Sequence, residues 1–411
     1  MDDLGLYLSI PFCRAKCTFC NFASDAFAPG RLPPYVDRLC NEIANSRSRS
    51  VDHSADLSAP VNTVYFGGGT PSLLSPPNVR RIFRSLHDQF NFASDPEITV
   101  ECAPGQLSAR TLEELQRQGV NRLSFGIQSF VDRESAAIGR LHTAEQCLGE
   151  IDRVRSAGVP NLSLDLIAGL PHQTEASWRT SLEQAIDTGV PHLSLYMLEV
   201  DDGSRLGREL LAEGPRYGAS TVPSDDQTAA LYEIACDLLN ASGVAQYEIS
   251  NFARPGFRSL HNLKYWQRKP YLGFGLDAHS MLRTPASEIR FSNTDDLDTY
   301  LSAATQPATG KTNSLNLFAS APAQTLVVDR LTPEEVLEET LFLGLRMNQG
   351  LKLDDLRSAF GSAAIDHLTP VLTEAATDGL LELHQRTIRL TALGRVLSNE
   401  LFSRLLLPSA A

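Results

Sequence analysis

No apolar run in the chain reaches the ~18 residues that a membrane-spanning helix needs, so a transmembrane segment is not expected. The start, Met1, Asp2, Asp3 and then a strand-like segment, lacks the basic opening and apolar stretch of a secretion signal, and the reading is cytoplasmic. Basic residues are in the minority, 36 against 49 acidic for a formal net charge of -13, which argues against a general nucleic-acid partner because affinity there rests on neutralising phosphates. A disulfide framework is missing too. The seven cysteines are odd in number, and Cys40, Cys102, Cys147 and Cys236 lie scattered in apolar surroundings. Charged residues at 21% and hydrophobic residues at 42% give no compositional case for disorder. At 411 residues the chain has room for a large α/β domain and one smaller module.

Six β-rich runs alternate with helix-patterned stretches: LGLYLSIPF, VNTVYFGGG, EITVECAP, RLSFGIQS, NLSLDLIAGLP and HLSLYMLEV. Such alternation predicts a parallel sheet, either open or curled into a barrel. The strands run into Cys13, Gly67 to Thr70, Glu101, Gln128 and Asp165, and C-terminal strand ends are where βα proteins place their chemistry. Residues 46 to 60 and Asp201 to Gln227 read as surface loops, with Asp201 and Asp202 as turn residues. Ala303 to Gln324, rich in Ala, Thr, Ser and Pro, reads as a link. From Pro333 the pattern becomes three helices, a hairpin and a last helix, which suggests a winged-helix-like module. With 11 acidic against 7 basic side chains over residues 331 to 411, structural packing is favoured there over a nucleic-acid-binding wing.

Cys13, Cys17 and Cys20 fall within eight residues, and neither a fourth cysteine nor a second CxxC accompanies them. Structural zinc asks for four ligands. A 4Fe-4S cluster held by three thiolates keeps one iron open to a small chelator, and S-adenosylmethionine, with amino and carboxylate groups side by side, suits that position. Zinc or unliganded structural thiols remain the alternatives. Glycine-rich GGGTP, Gly67 to Pro71, either admits close approach of a ligand or makes a tight turn. Glu101 is either a hydrogen-bond acceptor or a solvated strand end, and Arg140 is a natural carboxylate partner. His142 is left without a role, and Cys102 reads as a small buried hydrophobe. From composition alone HNLKYW, His261 to Trp266, reads as a packing cluster closing the barrel.

CxxxCxxC after the first strand of a βα array resembles the signature of radical S-adenosylmethionine proteins. Together with FGGGTPS, FGIQSF, GRLH, DLIAGLP, HNLKYW and LTALGRVLSNELF, the chain resembles the branch that holds oxygen-independent coproporphyrinogen III oxidases and HemW-type haem chaperones. The resemblance implies a partial (β/α)6 TIM-like barrel over residues 1–245, a joining region over 246–330 and the winged-helix-like module over 331–411. It implies a 4Fe-4S cluster on Cys13, Cys17 and Cys20, and S-adenosylmethionine among Tyr7, Phe19, Gly68, Gly69, Thr70, Glu101, Gln128, Arg140 and Asp165. It turns HNLKYW towards haem, with His261, Tyr265 and Trp266 as candidates and His279 as a second possible ligand. Haem-accepting proteins, a flavodoxin- or ferredoxin-like electron donor and transient contact with membrane proteins are the implied partners. Phe22 stands where the oxidases carry a further cysteine, which favours the chaperone over oxidative decarboxylation of coproporphyrinogen III; a radical enzyme on another substrate is the third reading. Asp277 stands in a run that is usually glycine-rich in relatives.

Overall fold

The computed structural model describes residues 2–26, 30–50, 57–285, 287–302 and 327–406. The six expected strands are present as β1 (Leu4–Ile10), β2 (Val61–Gly68), β3 (Phe92–Cys102), β4 (Arg122–Gln128), β5 (Leu162–Ala168) and β6 (His192–Met197). Each pairs in parallel with the next. The crossovers carry helices Leu32–Ser50, Pro76–Gln89, Ala109–Arg117, Ala144–Ser156 and Glu175–Asp187. Thr143 and Thr174 start the last two with reciprocal capping boxes, which satisfy amide groups that a helix start leaves unpaired.

Parallel strands covered on both faces usually read as continuous apolar runs, and these do not. Leu4, Leu6, Leu8 and Ile10 of β1, Leu123, Phe125 and Ile127 of β4, and Leu162, Leu164 and Leu166 of β5 belong to the main apolar core. The alternate positions, which a strand's period of two turns to the opposite face, are polar or small. In register, Tyr7, Tyr65, Thr99 and Arg122 form one row and Glu101, Ser124, Ser163 and His192 another. The barrel therefore has an apolar outside under its helices and a polar lumen.

Residues 246–330 do more than join. Six further strands extend the same sheet: β7 (Ala245–Gln246), β8 (Asn251–Ala253), β9 (Tyr271–Phe274), β10 (His279–Arg283), β11 (Glu288–Ser292) and β12 (Val327–Arg330). The order β12-β11-β10-β9-β1-β2-β3-β4-β5-β6-β8-β7 leaves the barrel open, and β9 runs parallel to β1. The stretch 201–227, expected as a loop, contains helix Arg205–Leu211 with Ser204 as its cap; Asp201 does make the expected turn, accepting a bond from Gly203 N at 2.7 Å. Of the expected loop 46–60, residues 46–50 continue a helix and 51–56 lie outside the described residues, as does the expected link 303–324.

The C-terminal module has helices Pro333–Leu345, Leu353–Phe360 and Ser362–Thr377, then a hairpin, β14 (Leu381–His384) and β15 (Thr387–Leu390), joined by β13 (Leu351–Lys352). Leu341, Leu356, Ile365, Leu368, Ile388 and Leu401 make its own core. It is fastened to the barrel by buried Arg268, which bridges Glu288 of β11 and Glu339 of the first helix, and by Asn348 N donating to Tyr247 O at 3.0 Å.

Candidate functional site

The loop after β1 is laced down by backbone bonds before any ligand is considered. Gly69 N donates to Ile10 O (2.9 Å) and Thr70 N to Phe12 O (2.8 Å); Thr18 N donates to Ile138 O (3.0 Å) and receives, through its carbonyl, Leu206 N (2.9 Å). A Cβ on Gly69 would sit 2.7 Å from Phe12 N and 2.8 Å from Ile10 O, so only glycine admits the two segments this close. Lys16 Nζ closes the loop by donating to Phe22 O (2.9 Å) and Ser24 O (3.2 Å).

The three cysteines of this loop are unpaired and half-buried. Thr70 Oγ1 donates to Cys13 Sγ and Arg140 Nη1 to Cys17 Sγ, each at 3.6 Å. Burial pushes the Cys13 and Cys20 thiols up, and the neighbouring thiols add to this, so a thiolate state there wants a bound cation. Among the described residues no three Cys, His, Asp or Glu side chains close on one metal ion.

Inside the lumen, burial pushes the Glu101 carboxyl up to about 7, with Asp165 adding and the Tyr65 hydroxyl, donating at 2.9 Å, pulling back. Asp165 is also raised by burial and accepts from Ser124 Oγ at 3.2 Å. Gly67 brings this wall together, because a Cβ there would touch Tyr7, Tyr65 and Glu101 within 3.2 Å. Gln128 ends β4 in the left-handed region (φ 70°) with its buried Oε1 lacking a hydrogen-bond partner. Arg140 reaches back to Gly126 O, and its buried Nε also lacks one. Both groups are thus left to a ligand or to water. Phe19 packs against Ile138, Ile167 and Leu170. His142 is held neutral, pushed down to about 4 by burial and by Arg140, with Nε2 on Ile127 O.

A cleft of about 330 Å³ opens beside this wall. It is lined by Tyr7, Ser9 and Gly68 of the first two strands together with Tyr265, Tyr271, Leu276, Asp277 and His279, and by exposed Phe22. The HNLKYW segment forms helix Leu260–Trp266, whose first amides are capped by Glu97. Its residues part company. His261 is fully buried, with Nδ1 on Thr63 Oγ1 (2.9 Å) and Nε2 on Tyr265 OH (2.8 Å), and burial pushes its imidazole down to about 3. Trp266 faces the C-terminal module under the Arg346 guanidinium, 4.4 Å from the ring centre. Of the four haem candidates, Tyr265 and His279 reach the cleft. Sequence reasoning missed Tyr65, Arg122, Ser124 and His192 of the lumen, although the polar residue at every second place in LSLDL and HLSLY marks that face.

An open βα barrel with three cysteines laced above a polar lumen defines a radical S-adenosylmethionine protein. Its matching families are the Radical SAM superfamily, over residues 7–185, and the HemN C-terminal domain, over residues 331–397. Within that class the chain belongs to the HemW family of haem chaperones. It is 31% identical over 401 residues to the Heme chaperone HemW of Lactococcus lactis (98% of this chain, 97% of that protein) and 33% identical over 402 residues to that of Bacillus subtilis (97% and 98%). The Escherichia coli protein of the same name is 35% identical over 291 residues, 70% of this chain and 73% of that one. The solved structure of coproporphyrinogen III oxidase (HemN) from Escherichia coli superposes with a TM-score of 0.80 at 23% identity, covering 98% of this chain and 90% of that one, a likeness of fold.

Proposed function

We propose that this protein binds haem and hands it to haem-requiring proteins, with a 4Fe-4S cluster on Cys13, Cys17 and Cys20 and S-adenosylmethionine against the lumen wall. The observation that carries the reading is the shared cleft: its lining joins Tyr7 and Gly68, which belong to the proposed cofactor wall, to Tyr265, Tyr271 and His279, which offer aromatic faces and an imidazole to a flat ligand. Bound there, the cluster would supply an electron to S-adenosylmethionine. The chain's own residues divide the remaining work. Thr70 and Arg140 donate to the sulfurs, Glu101 and Asp165 accept from ammonium or hydroxyl groups, and Gly67 to Gly69 remove side chains from the approach. Tyr7 lines the cleft and belongs to the proposed cofactor wall, so it would touch both ligands.

The test is anaerobic reconstitution with iron and sulfide, followed by haem titration, haem transfer to an apo-acceptor, and assay of coproporphyrinogen III turnover with S-adenosylmethionine and dithionite. Stoichiometric haem uptake and transfer without a vinyl product is the expected result. Turnover to protoporphyrinogen without haem retention would replace the chaperone with the oxidase.

A further inference from the structure

We infer, resting on the haem-binding reading, that the iron ligand is His279 and that Asp277 is its positioning residue, while the motif histidine His261 stays behind the cleft wall. The two histidines differ in what each would have to give up to reach an iron. His261 has both ring nitrogens engaged, at 2.9 and 2.8 Å, and its backbone amide on Glu97. Bringing it to an iron would break these bonds and leave buried polar groups without partners. His279 gives up nothing comparable: its side chain is 67% exposed on the cleft, and Nε2 lies 3.6 Å from Asp277 Oδ1, which leaves the other ring nitrogen facing no protein group in the described contacts. A carboxylate on the far nitrogen is the arrangement that fixes a metal-bound imidazole in rotation and tautomer and strengthens it as a donor.

The pair sits on a rigid base. Gly275 has φ 96° and no space for a Cβ, which would lie 2.4 Å from Tyr35 OH and 2.6 Å from Ser9 O. Tyr35 OH donates to Ser9 O (2.6 Å) and receives Leu276 N (3.0 Å), Gly275 N donates to Glu42 (3.2 Å), and Asp277 N donates to Thr294 O (2.9 Å). Asp277 itself adopts φ 54°, a left-handed conformation that aspartate tolerates better than most side chains. The departure from a glycine-rich run thus costs little in backbone and places a carboxylate beside the one histidine lining the cleft.

The experiment is ferric and ferrous haem titration of the cluster-loaded full chain, following the absorption and resonance Raman spectra, for wild type, H279A, H261A and D277N. H279A should lose at least ~10-fold in affinity together with the histidine-ligated spectrum, and free imidazole should restore that spectrum. D277N should keep the histidine-ligated spectrum but lower the ferric-to-ferrous affinity ratio ~10-fold, a rise of about 59 mV in midpoint potential. H261A should retain the spectrum. A wild-type spectrum in H279A, with ligation lost in H261A, overturns the ligand assignment. An unchanged potential and Raman iron–histidine band in D277N overturns the positioning role. Failure of the wild-type chain to take up haem defeats the underlying reading instead, and so is told apart from both.

Discussion

The accepting role proposed for Glu101 needs its ionised form, and the carboxyl lies where burial resists ionisation. With its carboxyl pushed up to about 7, the charged fraction climbs from roughly a tenth at pH 6 to nine tenths at pH 8. S-adenosylmethionine binding to the cluster-loaded protein should therefore tighten ~5- to 10-fold across that range, and E101Q should bind weakly with a flat profile; isothermal titration at three pH values decides it. For folding the sign is opposite: a raised carboxyl stabilises the native state fully below its unfolded value near 4.5, and that contribution is lost as the pH climbs through about 7. Gly69 gives a second residue-scale expectation. G69A forces a methyl onto the Phe12 and Ile10 backbone and should cost ~1–3 kcal/mol in denaturant unfolding. It should also halve, or worse, the iron incorporated on reconstitution. The cysteines, the glycines and Glu101 were legible because their spacing and place at strand ends are local facts. The fates of His261 and His279 were not, since they depend on Thr63 and Glu97, far away in the chain, and on a turn anchored by Tyr35.

At the scale of elements, the six strands were legible from alternation alone, and the C-terminal helices from their apolar repeat. Helix Arg205–Leu211 was not: it has only seven residues, and Leu206 is buried under the cysteine loop through a tertiary contact that no local pattern encodes. The extension of the sheet by residues 271–292 was hidden for a related reason, because β9 pairs with β1 across more than 260 residues of chain. Arg268 is the element-scale clasp. Its removal leaves Glu288 to Arg283 alone and Glu339 to Arg290 alone, so R268A should destabilise the protein by ~1–3 kcal/mol. Urea unfolding followed by circular dichroism should show the loss, and E339Q should be milder because Glu288 keeps its partner.

For the whole molecule, the two tryptophans report on different places. Trp178 is buried in the barrel core with Nε1 donating to Leu231 O at 2.8 Å, whereas Trp266 is covered by Arg346 of the C-terminal module. Ending the chain at residue 330 should red-shift emission, and W266F should abolish that shift; an unshifted truncated chain would mean that the module does not shield the HNLKYW helix. Backbone bonds tie Gly69 to Ile10, Thr18 to Ile138 and Leu206 to Thr18, so the cysteine loop is joined to three separate parts of the barrel and a shift in any one of them is felt at the sulfurs.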